Sequence, residues 1–258
     1  MLKRSGAAAL AHWRQCSGRS PWRLRTLPVC GSTETVLSAW LRDSPWQGTV
    51  PRAVVARRQT CGHGQWGRRW HSPPGGVWLS AALPWKGQHA APGLLGLAAA
   101  VALAERLEMV GLPVAIKWPN DLLVDGRKLA GILPRMVHRG SCVRLARIGV
   151  GLNVVNRVPS GAIALADCWP AALQRSSIAL LWTSEVLMAL DRVQELVGDP
   201  KLVCHATEVR LWSRQVRDPD TGAPWQVEGL RDDGALVLRQ GARTTSWTRW
   251  LDGAAGGL

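Results

Sequence analysis

The chain has 258 residues, 47% of them hydrophobic, enough to bury a sizeable core, so global disorder is excluded. Its net charge of +14 raises nucleic-acid binding as a class. With no Phe, no Tyr and 15 Trp, the composition instead points to GC-rich codon usage as a source of much of the Arg. The longest apolar run, Leu94 to Ala104, is too short to span a bilayer and reads as a buried helix.

Residues 1–24 form a basic extension, and the first carboxylate of the chain is Glu34. That composition resembles an organellar transit peptide. A short basic helix around Ala7–Gln15 of a cytoplasmic protein is the preferred alternative. The six cysteines include no CxxC pair and no Cys/His cluster with zinc spacing. Neither a disulfide framework nor a metal knot is expected, and a reducing compartment is the default.

Trp22 to Cys30 reads as a first strand, followed by helical spacing of apolar residues over Thr35–Arg42. Arg52–Ala56 is a strand that runs into a loop over residues 57–76, and Val77–Leu83 is the next strand. Pro92–Val110, which has Pro at its start and stops at Gly111, is the clearest helix. Val114–Trp118 is a strand. Leu122–Val124 and Lys128–Leu133 flank Asp125-Gly126, a strong two-residue hairpin signal. Val143–Val150 is another strand, and Ile178–Val197 a second long helix that stops at Gly198-Asp199-Pro200. Residues 205–250 alternate in short stretches split by turn clusters, the pattern of a small all-β module. The expected organisation is a catalytic domain over 25–200 and a β-module over 205–258.

Gly62, Gly64 and Gly67 match the dinucleotide fingerprint G-x-G-x-x-G. The context is wrong for it. Consecutive prolines at 73 and 74 prevent a helix from opening there, and no acidic residue follows until Glu105. What remains is a basic glycine-rich loop whose backbone N–H groups can approach an anion closely. Trp70 within it is suited to covering an adenine or the pocket. Lys117 and Lys128 are embedded among apolar residues, where an unpaired ammonium is costly. Asn120 and Asp121 stand at a strand end, where they offer groups for a ribose, Mg²⁺ or a proton. Two cationic segments of this kind suit a site that joins two anions, as in the activation of a carboxylate by a nucleotide.

The motifs GHGQWGRRWHSPPGGVWLS at 62–80, KWPNDLLVDGRKLAGIL at 117–133, GVGLN at 149–153 and Ser32-Thr33-Glu34 resemble those of biotin protein ligases in order and spacing. The resemblance implies a mixed sheet flanked by helices, akin to class II aminoacyl-tRNA synthetase cores, with a small C-terminal SH3-like β-barrel. It implies that biotin and MgATP give biotinyl-5′-AMP, from which biotin passes to a lysine of the biotin carboxyl carrier protein of acetyl-CoA carboxylase. No metal motif is present, so Mg²⁺ is expected to arrive with ATP. Neither a specific nucleic acid nor a membrane is expected as a partner, and the oligomeric state is left open. No helix-turn-helix segment precedes the motifs, so a repressor role is not expected.

The resemblance assigns Lys128 to the biotin carboxylate, with Lys117 or Arg68 nearer the phosphates. Asp121 is the candidate for orienting or deprotonating the acceptor lysine. Ser32, Thr33 and Gln59 suit a ureido group, which needs neutral hydrogen bonds, while Gly149 and Gly151 leave room for the bicyclic ring. Glu34, His63, Gly64 and Gln65 complete the biotin side, and Trp70, Asn120 and Asn153 join Arg68 on the ATP side. His63, Gln65 and Glu34 depart from the residues common in the family (Arg, Arg and Asn), which lowers the fixed positive charge of the loop. Lipoate–protein ligation on the same fold, and a non-catalytic biotin- or nucleic-acid-binding role, are the alternatives.

Overall fold

The structure, a computed structural model, describes residues 6–44, 50–85, 92–139, 142–169, 178–218 and 220–248. In chain order come α1 (Gly6–Cys16), β1 (Arg23–Leu27), α2 (Thr33–Asp43), β2 (Arg52–Ala56), β3 (Val77–Pro84) and α3 (Pro92–Glu108). Then follow β4 (Ala115–Lys117), β5 (Asp121–Val124), β6 (Arg127–Arg139), β7 (Cys142–Leu152), α4 (Leu165–Cys168), α5 (Ile178–Val197) and α6 (Pro200–Glu208). The last strands are β8 (Gln215–Arg217), β9 (Pro224–Leu230), β10 (Leu236–Gln240) and β11 (Arg243–Trp247).

Seven strands make one mixed sheet in the order β1-β2-β3-β7-β6-β5-β4. Only β1 and β2 run parallel; the other neighbours are antiparallel. Because side chains alternate across a strand, each strand serves two layers. Ala53, Leu79, Ala81, Ile148 and Val150 point into the large core beneath α3 and α5. Val54, Ala82 and Leu145 point the other way, onto Leu37 and Trp40 of α2. On that second face the alternation leaves Ser80, Gly131, Gly149 and Gly151 beside α2 without large side chains. A basin therefore opens there.

The C-terminal strands form a separate four-stranded antiparallel sheet, ordered β11-β10-β9-β8. Among the described residues this sheet is open, so the small β-module expected there is present without establishing the SH3-like barrel. The module is docked on the main sheet, not tethered loosely. Residues 210–212 extend the β4 edge through Ile116 N–H to Arg210 C=O (2.6 Å) and Trp212 N–H to Ile116 C=O (3.0 Å). The Trp118 indole N–H donates to the carbonyl of Gly234 at 2.9 Å.

A helix stands where residues 200–208 were expected to be a boundary entering β structure. Pro200 sits at the helix start, and the Asp199 side chain caps it by accepting from Leu202 N–H at 3.1 Å. Gly198-Asp199-Pro200 thus ends one helix and begins another. At the other end of the chain, α1 packs on α5. The buried Arg14 is ion-paired with Asp191, which also accepts from the Trp22 indole N–H at 3.1 Å.

Candidate active site

The basin on the α2 face is a cavity of about 670 Å³ that runs from α2 and β3 across β7 to β6. Every residue that the resemblance assigned to the site lines it: Ser32, Thr33, Glu34, Gln59, His63, Gly64, Gln65, Arg68, Trp70, Lys117, Asn120, Asp121, Lys128, Gly149, Gly151 and Asn153. Trp66, Arg69, His71, Ser80 and the Gly131–Leu133 segment line it as well. Ser80 and Gly131 were within reach of sequence reasoning, since period-2 alternation places them on the same face as Gly149 and Gly151. Trp66 carried no such signal.

Lys128 reaches the basin through a fault in the β5–β6 ladder. Leu122 pairs with Ala130, but Leu123 pairs with Lys128, so Leu129 has no partner on β5. Leu129 and Ala130 are both buried in the large core, and the extra residue shifts the alternation by one. That β-bulge turns Lys128 onto the face of Gly131. Its ammonium then lies 2.7 Å from Asp121 and 4.8 Å from the centroid of the Trp70 ring. Asp121, expected to serve an incoming lysine, is thus already paired with Lys128.

Trp70 lies on the floor. A Cβ added at Gly151 would fall 2.5 Å from its indole, and one at Gly131 would fall 2.9 Å from it. Glycine is required at both places because the ring rests directly on the backbone of β6 and β7. The space at Gly151, expected to accommodate the bicyclic ring, is taken by this indole. A Cβ at Gly149 would come 3.2 Å from Leu133 Cβ, so the wall of the cavity is tight at this point too. Trp70's own N–H is buried and has no hydrogen-bond partner among the described residues.

Two strands from Lys128, at the β3 side, lies a chain of neutral groups. Gln59 Oε1 accepts from the Thr33 backbone N–H (2.8 Å) and hydroxyl (3.0 Å). With the Thr33 hydroxyl donating to Gln59, Ser80 Oγ, 2.8 Å away, donates to Thr33. Gln59 Nε2 donates to Ser72 Oγ (2.9 Å), whose hydroxyl donates to the Trp70 carbonyl (3.2 Å). Gln59 is therefore largely committed within the protein, as the clasp between the start of α2 and the glycine-rich segment. Ser32 is the N-cap of α2 and accepts from Glu34 N–H at 3.3 Å.

Other expected contacts are also engaged. Glu34 pairs with Arg147 of β7 at 2.8 Å, and both side chains are largely buried. Asn120 donates to the Ile132 carbonyl at 2.6 Å, and Asn153 accepts from Asn156 at 3.0 Å. Lys117 sits 5.3 Å from the centroid of Trp212, so the segment leading into the C-terminal sheet meets the edge of the site. His63, Arg68 and Arg69 are exposed on the glycine-rich segment, which folds as a tight hairpin with His63 opposite Arg69. Both carboxylates of the cavity are ion-paired, and no metal-binding group of three or more His, Cys, Asp or Glu exists among the described residues.

The cavity thus sets neutral hydrogen-bonding groups toward β3 and the cation of Lys128 toward β6, on a sheet of this order. Residues 27–153 match the biotin/lipoate A/B protein ligase family. A biotin–[acetyl-CoA-carboxylase] ligase of Paracoccus denitrificans is 36% identical over 79% of this chain and 87% of its own length. The chain belongs to the family of biotin–[acetyl-CoA-carboxylase] ligases. The bifunctional ligase/repressor BirA of Bacillus subtilis is 39% identical, but the match spans only 40% of that protein and 51% of this chain. A solved biotin protein ligase from Aquifex aeolicus, in complex with biotin and ATP, superposes with a TM-score of 0.67 at 22% identity, over 90% of this chain and 97% of that one. That likeness is one of fold.

Proposed function

We propose that the chain is an ATP-dependent biotin–protein ligase that forms biotinyl-5′-AMP and transfers biotin to a lysine of a biotin carboxyl carrier protein. The observation that carries this reading is the placement of Lys128. A ladder bulge aims it into a cavity whose opposite side holds the neutral hydrogen-bonding groups of Thr33, Gln59 and Ser80 beside the ion-paired Glu34. Biotin has the same division: a neutral ureido ring at one end and a carboxylate at the other.

In this reading Thr33 and Ser80 orient the ureido group, with the one N–H of Gln59 that is not spent on Ser72. Lys128 takes the carboxylate, and Lys117, Arg68 and Arg69 offset the charge of the phosphates as the two anions are brought together. The hairpin over 62–70 shields a hydrolysable acyl-adenylate from water. Asp121 holds Lys128 in place during adenylation. Once the carboxylate has been converted, Asp121, which lines the same cavity, takes the proton from the acceptor amine as AMP leaves.

The proposed catalytic unit is residues 25–200, with residues 205–258 as an accessory module that approaches Lys117 through Trp212. The cytoplasm is the proposed compartment, supported by the kinship with bacterial ligases. No helix among the described residues is long and apolar enough to cross a membrane. Pyrophosphate release from ATP, measured with and without biotin, tests the first step. Release that is indifferent to biotin contradicts the proposal.

A further inference from the structure

Along β7 the side chains that face α2 stand at every second position: Leu145, Arg147, Gly149 and Gly151. Leu145 is buried under α2, and the two glycines line the cavity. Arg147 stands between them, where an apolar residue would continue the packing. The place is a poor one for a cation. Arg147 is buried, Arg135 of β6 lies directly across the ladder, and its own Nε finds no hydrogen-bond partner among the described residues. Like charges set opposite one another across a ladder are destabilising.

What the guanidinium reaches is the first turn of α2. Its Nη2 donates to the Glu34 carbonyl (2.9 Å) and to Ser38 Oγ (2.6 Å), and lies 2.8 Å from the Glu34 carboxylate. Glu34 is part of the cavity wall, with Arg147 behind it. A buried ion pair is seldom more stabilising than apolar residues of the same volume. A glutamate in the first turn also suits the helix dipole without any partner. The pair is therefore better explained by the cavity than by the fold.

Glu34 adjoins Thr33, on the side of the cavity where Thr33, Gln59 and Ser80 offer neutral groups. While the cavity is open to solvent, water can solvate the carboxylate. A neutral ring that fills the cavity expels that water, and a carboxylate without a counter-charge then bears the full desolvation penalty. Resting on the ligase reading, we propose that Arg147 is a positioning residue for biotin, which holds the Glu34 carboxylate and cancels its charge so that the ureido ring is taken up without stranding an anion. Loss of Arg147 then weakens biotin binding and spares the chemical step, which Lys128 serves from two strands away.

Calorimetric titration of biotin into the full chain tests this, with Arg147→Met made both in the wild-type background and in Glu34→Gln. Arg147→Met keeps most of the side-chain volume and drops the charge. In the wild-type background it should weaken biotin binding roughly 10- to 100-fold. In the Glu34→Gln background, where no anion is left to cancel, it should weaken binding by no more than about threefold. Pyrophosphate release at saturating biotin should fall by no more than about threefold in Arg147→Met, so that the loss appears in the KM for biotin and not in kcat. Arg147→Lys keeps the comparison readable if Arg147→Met does not fold. All three contacts are made by a single nitrogen, so one ammonium can stand in for it, and binding within about fivefold of wild type is expected. A larger loss in Arg147→Lys overturns the assignment. Equal losses from Arg147→Met in both backgrounds overturn it too, and mark Arg147 as an anchor of α2 alone. Unchanged biotin affinity in Arg147→Met also overturns it and leaves the ligase reading standing. A wild-type protein that binds no biotin removes both.

Discussion

Lys128 and Asp121 face each other at 2.7 Å across the β5–β6 hairpin, with about a third and a fifth of their side chains exposed (34% and 21%). The pair exists because a one-residue bulge turns Lys128 onto the cavity face. It leaves the ammonium held in place but still reachable by a ligand. An exposed ion pair adds little stability, so its value lies in position. Replacing Lys128 with Ala should leave the fold intact and remove about 2–4 kcal/mol of transition-state stabilisation from adenylate formation. Replacing Asp121 with Asn should also slow that step, and the two changes should be non-additive because they act on one pair. Pyrophosphate release by the single and double variants measures this, and additive losses would separate Asp121 from Lys128.

The floor makes a steric prediction. A methyl group at Gly151 would lie 2.5 Å from the Trp70 indole, so Gly151→Ala must displace the ring. Overpacking of this kind costs about 1–3 kcal/mol. The same substitution in a Trp70→Ala background should cost much less, since the obstacle is gone. Denaturant midpoints of the four proteins test it. An equal penalty in both backgrounds would show that the clash is with backbone instead.

Much of the fold was legible because local signals were strong. Arg52–Ala56 and the helix Ile178–Val197 stand where alternation and helical spacing put them. Strand β6 runs to Arg139, six residues beyond its expected end at Leu133. Pro134 hid the continuation, since a proline lacks the N–H that a central strand needs. Beyond Gly131, however, β5 has no residues left to pair, so that side of β6 is an edge and the missing donor costs nothing. That the motif residues line one cavity agrees with their grouping in the sequence. The site's internal bonding was not legible: the Gln59 clasp, the Glu34–Arg147 pair and the seat of Trp70 depend on residues far apart in sequence, which spacing cannot bring together.

The N-terminal helix bears on whether residues 1–24 are dispensable. Arg14 and Asp191 are both almost wholly buried. Burial pushes the Asp191 carboxyl above its ordinary range, and Arg14 opposes that shift. Deleting residues 1–22 removes Arg14 and Trp22 and uncovers the face of α5 on which α1 packs, so buried packing is lost together with the ion pair. The truncated protein should therefore melt well below the full chain. An unchanged Tm would mark the segment as a detachable extension.

Thiol chemistry follows burial. Cys204 is buried, donates to the Arg231 carbonyl at 3.1 Å, and has its pKa pushed up to about 11, mainly by desolvation. At pH 8 it stays a thiol, so alkylation should label the exposed Cys16 and Cys61 and spare Cys204 until the protein unfolds. The raised folded-state pKa also fixes the sign for stability. Its contribution is complete below the unfolded pKa near 9 and is lost as pH climbs towards 11. Mass-spectrometric mapping of the alkylated sites checks the ranking, and early labelling of Cys204 would contradict it.

The most direct measurement is transfer itself. The full chain is incubated with labelled biotin, MgATP and a biotin carboxyl carrier domain, and the acceptor is recovered and counted. Label is expected on the carrier's lysine, dependent on ATP and absent with Lys128→Ala. An unlabelled carrier, under conditions where an established biotin ligase modifies the same preparation, would contradict the proposal that this cavity joins biotin to protein.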